Sequence, residues 1–427
     1  MINQEKRLTS SLPGSDDIQR TVLPNGIILL TRSNFNSPSV VLSGYLQAGA
    51  LFDTDDKLGL ADFTASALMR GTTQLDLQHI YDALESVGAS LGFSSSTHTT
   101  GFGGRSLVED LPLLFDLLSA ALRQPVFPLE QVELLRAQLL TGLAIRAQDT
   151  SDMASLTFDQ IVFDKHPYSR PDDGFTETVS AIKRDDLLEF HHRFYGPRGM
   201  VIVVIGAVEH GQVIDHLQRV LGDWENPEQP QPLELPVLNP LQEMEKRHTT
   251  IAGKSQADIV IGVAGPKRTD PEYMAASLGN SILGQFGLMG RLGDVVRKRS
   301  GLAYYASSNL SAGVGPGAWY ASAGVNPANV QKTVGLIIHE LTNFVEHGVS
   351  VEELQDSQDN FIGRLPLSLE SNAGVAGALL NIEHYDLGLD YYRHYPDLVA
   401  AVTLEAVLET ARKYIQPERL AVATAGP

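Results

Sequence analysis

Apolar positions recur along this chain with two periods, and the period changes mark the predicted elements. Thr21 to Leu23 and Ile27 to Leu30 flank Pro24-Asn25-Gly26. An Asn-Gly pair between two apolar runs predicts a hairpin turn. Val40 to Leu46 predicts the next strand, and Gly59 to Met69 a helix. Leu111 to Leu122 and Leu129 to Ile145 carry apolar residues three and four apart, which is the spacing of one helix face. In the second half, Ala257 to Val263 predicts a strand and Pro271 to about Leu283 a helix. A stretch punctuated by Gly284, Gly287 and Gly290 follows. Strand runs beside helix runs predict α+β domains, each a layer of helices on a largely antiparallel sheet.

The two halves repeat. Ile182 to Gly206 contains Leu187-Leu188-Glu189, Arg193-Phe194-Tyr195, Pro197 and the apolar run Met200 to Ile205. The end of the chain contains Val407-Leu408-Glu409, Lys413-Tyr414, Pro417 and Leu420 to Ala425 before Gly426, and a shift of 220 residues aligns the two without a gap. A repeat this long implies duplicated domains rather than a solenoid. Between them, Pro227, Pro230, Pro232, Pro236 and Pro240 are interspersed with Glu and Gln. Such a segment cannot be helix interior or central strand and reads as an extended, semi-rigid tether. The expected organisation is a domain over 12–223, a linker over 224–240 and a second domain over 241–427.

Composition narrows the function classes. The chain has 427 residues, 43% hydrophobic and 19% charged, which is ordinary for a folded protein. A net charge of −19 argues against a nucleic-acid backbone or an anionic membrane as main partner. There are no cysteines, so thiol catalysis and cysteine-ligated clusters are excluded. The longest apolar runs, such as Met200 to Ile205, are too short to span a bilayer, and no apolar signal segment follows Met1-Ile2-Asn3-Gln4-Glu5-Lys6-Arg7. The expected compartment is the cytoplasm, with the periplasm as the alternative only where a leader has been removed.

Residues Gly59-Leu60-Ala61-Asp62-Phe63-Thr64-Ala65-Ser66 through Gly71-Thr72 resemble the helix of the pitrilysin/insulinase zinc peptidases, whose signature is Gly-Leu-Ala-His-x-x-Glu-His followed by Gly-Thr. Positions i, i+3 and i+4 share a helix face, so two histidines can grip one metal while the glutamate acts as base. Here those places hold Asp62, Ala65 and Ser66. The family's third ligand is a glutamate on a later helix and would fall near Gly142, yet no glutamate lies between Glu133 and Glu177. A carboxylate, a methyl, a hydroxyl and a glycine make no zinc site, since zinc takes a full set of nitrogen, sulfur or carboxylate ligands. The expectation is that this chain holds no metal.

The resemblance extends over nearly the whole chain. His166-Pro167-Tyr168 with Gly174 is similar to a family segment, as are Tyr195-Gly196-Pro197 and Ile282-Leu283-Gly284 with Arg291-Leu292. Arg297-Lys298-Arg299-Ser300-Gly301-Leu302-Ala303-Tyr304 matches the family pattern Arg-x-x-x-Gly-Leu-Ala-Tyr, with Lys298 where members often carry Glu. A phenol and a guanidinium aimed at a carbonyl oxygen that gains negative charge stabilise it as oxyanion-hole donors do. The resemblance gives this role to Arg297 and Tyr304. Read without it, Arg297 is one of several helix-surface cations and Tyr304 a strand aromatic. Residues seven apart converge only if the turn at Ser300-Gly301 folds back, which glycine permits. Gly284, Gly287 and Gly290 lack the following Gly-Lys-Ser/Thr of a phosphate loop and suit close approach of a peptide backbone. That stretch resembles, at lower glycine density, the substrate loop of the non-catalytic subunit of mitochondrial processing peptidase. His191-His192 cannot converge on one metal. His166 reads as a turn or packing residue, and His98 sits in Ser94 to Thr100, which reads as a polar strand, with no ligand partner in view.

The resemblance implies half of a clamshell peptidase. The chain is expected to be inactive alone and to act as the non-catalytic subunit of a two-subunit zinc metalloendopeptidase. A zinc-bearing homologous partner completes it, and an extended peptide is the substrate, held by addition to a sheet edge. The alternatives are a scaffold or peptide-binding protein of the same fold without peptidase activity, and metal binding by Asp62 with other residues.

Overall fold

The computed structural model describes residues 12–427 apart from 286, 287 and 289. It contains two sheets, each in its own compact unit. The first sheet has six strands, β1 (Gln19–Val22), β2 (Ile28–Ser33), β3 (Ser39–Leu46), β4 (Ser90–Ser95), β5 (Thr100–Leu107) and β6 (Val201–Gly206). Their order is β1-β2-β6-β3-β5-β4. Only β2 and β6 run parallel, and the other neighbours are antiparallel. The β1–β2 hairpin turns where Asn-Gly predicts it, with Gly26 at φ +92°. The polar run expected as one strand at Ser94 to Thr100 is instead the tip between β4 and β5, because Ser96 and Thr99 close a turn with the Ser96 N–H on the Thr99 carbonyl.

One face of this sheet carries the main core. Leu29, Val40, Leu42 and Phe102 pack there against Phe63, Leu114, Phe115 and Leu187 from the helices Leu60–Ala67, Leu111–Arg123 and Arg184–Phe194. The other face is apolar too. A strand buried along its entire length reads as an unbroken hydrophobic run and needs cover on both sides, and β6, Val-Ile-Val-Val-Ile-Gly, is buried throughout. The helix Asn372–His384, from the far end of the chain, supplies the cover. Its Val375, Ala376 and Leu379 pack on Leu30, Val201, Val203 and Ile205.

The second unit repeats the plan. Its strands are β7 (Glu245–Thr250), β8 (Ala257–Ala264), β9 (Ala303–Leu310), β10 (Ala318–Val325) and β11 (Ala421–Gly426), in the order β7-β11-β8-β10-β9. Removing β1 from the first sheet leaves the same order, with β7 and β11 as the parallel pair. The predicted helix Pro271 to Leu283 appears as Tyr273–Asn280 followed by a wide turn, Ser281–Gln285. That helix, Val330–His347 and Leu404–Tyr414 cover one face. Helix Thr150–Val162, from early in the chain, covers the other with Phe158 and Ile161 on Val260, Ala421, Ala423 and Ala425. A buried carboxylate pins it there: Asp258, 1% exposed, accepts hydrogen bonds from the Thr150 and Tyr305 hydroxyls and the Gln256 amide.

One boundary between the units, Glu234/Leu235, falls inside the expected linker over 224–240, but neither unit is one continuous stretch such as 12–223 or 241–427. The first comprises the chain up to Leu143, Pro171–Glu234 and Leu365–His394; the second comprises Ala144–Arg170, Leu235–Arg364 and from Tyr395 onward. The reason is the second sheet face, since each sheet takes its covering helix from the other half of the sequence. The proline-rich stretch from Trp224 to Pro240 carries neither helix nor strand, as its prolines require.

Candidate functional site

The helix Leu60–Ala67 starts at a strained and well-anchored point. Gly59 has φ +93°, a conformation that favours glycine. The buried Asp53 carboxylate accepts the N–H groups of Gly59 and Ala61 at 2.9 and 3.0 Å, satisfying donors that the first helical turn leaves free. Gly174, at φ +71°, closes against Leu58 and brings Asp172 and Asp173 beside the helix. Asp62 and Ser66 stand one turn apart and are half-buried, whereas Ala65 is buried. Burial pushes the Asp62 carboxyl up to about 6, and the negative charges of Asp173 and Asp172 push in the same direction. Asp172 accepts a hydrogen bond from the Thr97 hydroxyl at 2.9 Å.

The later helix Leu129–Arg146 does run beside this one: the Arg136 guanidinium lies 5.3 Å from the Phe63 ring centre, and Arg70 donates to Gln138 at 2.9 Å. Gly142 is exposed on it, and a side chain there would meet nothing within 4 Å. The metallopeptidase frame is thus built without its donors. Asp62, Ala65, Ser66 and Gly142 offer one carboxylate and one hydroxyl, and among the described residues no group of three His, Asp or Glu side chains converges to hold a metal ion. These residues do not fit zinc.

In the second unit, a wide helical segment, Gly293–Arg299, leads into β9. Gly301 at φ +61° makes the turn, its N–H on the Arg297 carbonyl. Strand β9 is a sheet edge and carries a bulge: Tyr305 pairs with Gly324 and Ala303 with Val325, so Tyr304 is the extra residue. Bulges re-aim side chains. Tyr304 is 59% exposed, and Arg297 is also exposed. Neither side chain makes a hydrogen bond or ion pair among the described residues, although nearby cations are committed. Arg299 pairs with Asp294 at 2.6 Å, and Arg291 forks onto Glu353 at 2.6 and 2.7 Å beneath Phe344.

Gly284 and Gly290 are buried and touch each other. A Cβ on Gly290 would lie 2.4 Å from the Gly284 Cα, and one on Gly284 would lie 3.1 Å from the Ser308 nitrogen. Their lack of side chains lets the segment close on itself. Gly287 lies outside the described residues. Two of the histidines have packing roles: His191 is half-buried with its Nε2 at 2.8 Å from the Leu122 carbonyl, and desolvation drives it down to about 4 so that it stays neutral. His166 accepts the Tyr168 N–H, and Tyr168 in turn accepts the Gly315 N–H. Sequence reading missed Asp53, Asp172 and Asp173. The signal for the last two was Gly174, whose position in the family segment marks a tight turn.

Two family models match the chain: one described as insulinase (peptidase family M16) over residues 28–169, and one as peptidase M16 inactive domain over 181–361. An uncharacterized zinc protease of Streptomyces coelicolor is 27% identical over 86% of this chain and 80% of its own length. The β subunit of the mitochondrial processing peptidase of Saccharomyces cerevisiae is 25% identical over 86% and 81%. The fold matches a crystal structure of a peptidase M16 inactive domain from Pseudomonas fluorescens with a TM-score of 0.89, covering 96% of this chain and 98% of that one at 23% identity. With both domain types in order and the metallopeptidase frame in place, the chain belongs to the insulinase family of peptidases, M16.

Proposed function

We propose that this chain is the non-catalytic subunit of a two-subunit zinc metalloendopeptidase. A homologous partner would hold the zinc and the hydrolytic centre. This chain contributes Arg297 and Tyr304 to the bound peptide, where the guanidinium and phenol stabilise negative charge on the carbonyl oxygen under attack. The observation that carries the reading is the pairing of opposites within one chain: the ligand frame has lost every ligand, while the Arg and Tyr stand exposed and uncommitted. The edge strands fit an extended peptide, since β4, at the edge of the first sheet, packs beside the helix Leu60–Ala67, and an open edge offers unpaired backbone groups. The matches over 28–169 and 181–361 support membership of a peptidase family, the setting this reading requires.

The test is reconstitution. Alone, the chain should show no peptidase activity; mixed with its zinc-bearing homologue, it should raise turnover of an unstructured peptide. Tyr304→Phe should lower kcat of the complex by about 10²-fold, the effect of deleting one oxyanion donor, with subunit association unchanged. Full activity of the Tyr304→Phe complex would remove the role assigned to that phenol.

A further inference from the structure

Beneath the proline-rich segment, within the second unit, lies a cavity of about 460 Å³. That is the size of pockets that enclose small organic ligands. Its lining is largely aliphatic: buried Val162 from the helix Thr150–Val162 and Val263 from β8, with half-buried Leu235 and Leu238 from the tether and Leu241 just after it closing over them. The polar groups on its lining are nearly all donors, namely Lys267, Lys413, Arg419, Tyr414 and Gln416. Lys413 is held by Glu272, and Arg419 donates to Gln416 at 2.9 Å. The Lys267 side chain is exposed and has no carboxylate partner among the described residues; Asp270 takes only its backbone N–H. Three cations around one apolar cavity run against the balance of a chain whose net charge is −19. None of Arg297, Tyr304, Gly284 or Gly290 lines it.

The lining selects the ligand's chemistry. Aliphatic walls and a cationic rim suit a molecule with a hydrocarbon tail and one anionic end. A peptide is a poor fit, because Pro236, Pro240 and Pro316 line the cavity without N–H groups, and the neighbouring edge of β8 is already paired with β10 up to Ala264. We infer that the cavity binds a medium-chain acyl carboxylate, its tail among Val162, Leu235, Leu238 and Val263 and its carboxylate on Lys267 and Arg419. The tether is then one wall of a ligand site as well as a connection. This inference stands apart from the peptidase reading and does not depend on it.

Calorimetric titration of the full chain tests it with three probes: dodecanoate below its micellar concentration, dodecanol, and a short apolar peptide with a free C-terminal carboxylate. Dodecanoate should bind saturably at one site. Dodecanol, lacking the charge-assisted hydrogen bonds, should bind roughly tenfold more weakly. Lys267→Gln together with Arg419→Gln should reduce dodecanoate affinity to about that of the alcohol. Leu235→Glu, which puts a carboxylate at a half-buried wall position, should abolish binding while the far-UV circular dichroism stays unchanged. Absence of saturable dodecanoate binding, equal affinity for acid and alcohol, preference for the peptide, or indifference to the Lys267/Arg419 change would each overturn the assignment. The exposed Lys267→Gln change alone keeps the test open if Leu235→Glu fails to fold.

Discussion

At the scale of single residues, Asp62 is the informative position. Its carboxyl titrates near 6 in the folded chain against the ordinary value near 4, so the folded state favours the protonated form. The contribution is fully favourable below the unfolded value and is lost as the pH rises through the folded one. Asp62→Asn should therefore stabilise the chain at pH 8 by up to about 3 kcal/mol, with the difference fading between pH 6 and pH 4. Thermal denaturation of both forms across that range measures it, and a stability gap independent of pH would refute the assignment. The residue types at 62, 65, 66 and 142 were legible in the sequence, because a missing ligand is visible as a letter. The carboxylates that gather around Asp62 were not, because Asp172 and Asp173 arrive through a long-range turn closed by Gly174 on Leu58.

At the scale of elements, periodicity served well. The strands from Val40 to Leu46 and from Ala257 to Val263, and the helices from Leu111 and Leu129, stand where their spacing places them. The repeat at 220 residues reappears as two sheets with the same strand order. What periodicity could not carry was local irregularity. The bulge at Tyr304 is set by pairing with Gly324 and Val325 on β10, information that no window around Tyr304 contains. The glycine-rich segment is similar, since close approach of a peptide and close approach of the chain to itself call for the same residue. Gly290→Ala separates the two. With a Cβ at 2.4 Å from the Gly284 Cα, the segment must shift, and the urea midpoint should fall by an amount equivalent to about 1–3 kcal/mol. A glycine kept only for substrate would leave stability untouched.

At the scale of the whole molecule, the sequence pointed to a cut in the proline-rich stretch, and one unit boundary falls there, between Glu234 and Leu235, but each unit also takes a segment from the other half of the chain. Composition shifts mark linkers, but nothing in the letters of Asn372–His384 says which sheet it covers. Its small apolar residues suit any flat β surface. A fragment ending at residue 223 should thus leave Leu30, Val201, Val203 and Ile205 without their covering helix. It should bind a hydrophobic dye and aggregate, and a separate peptide spanning 365–394 should suppress both. A fragment that is soluble, dye-silent and cooperatively folded without the peptide would show that the helix is dispensable.

The late arrival of that helix also constrains how the protein is made. At ribosomal speeds of about 5–20 residues per second, roughly 9–36 s separate the emergence of β6 from that of the helix that roofs it. Throughout that interval the nascent chain presents a wide aliphatic strand face with no native cover. Synthesis from N- to C-terminus therefore cannot finish the first unit until Asn372–His384 has been made, and its aliphatic strand face stays open far longer than it would in two domains arranged one after the other.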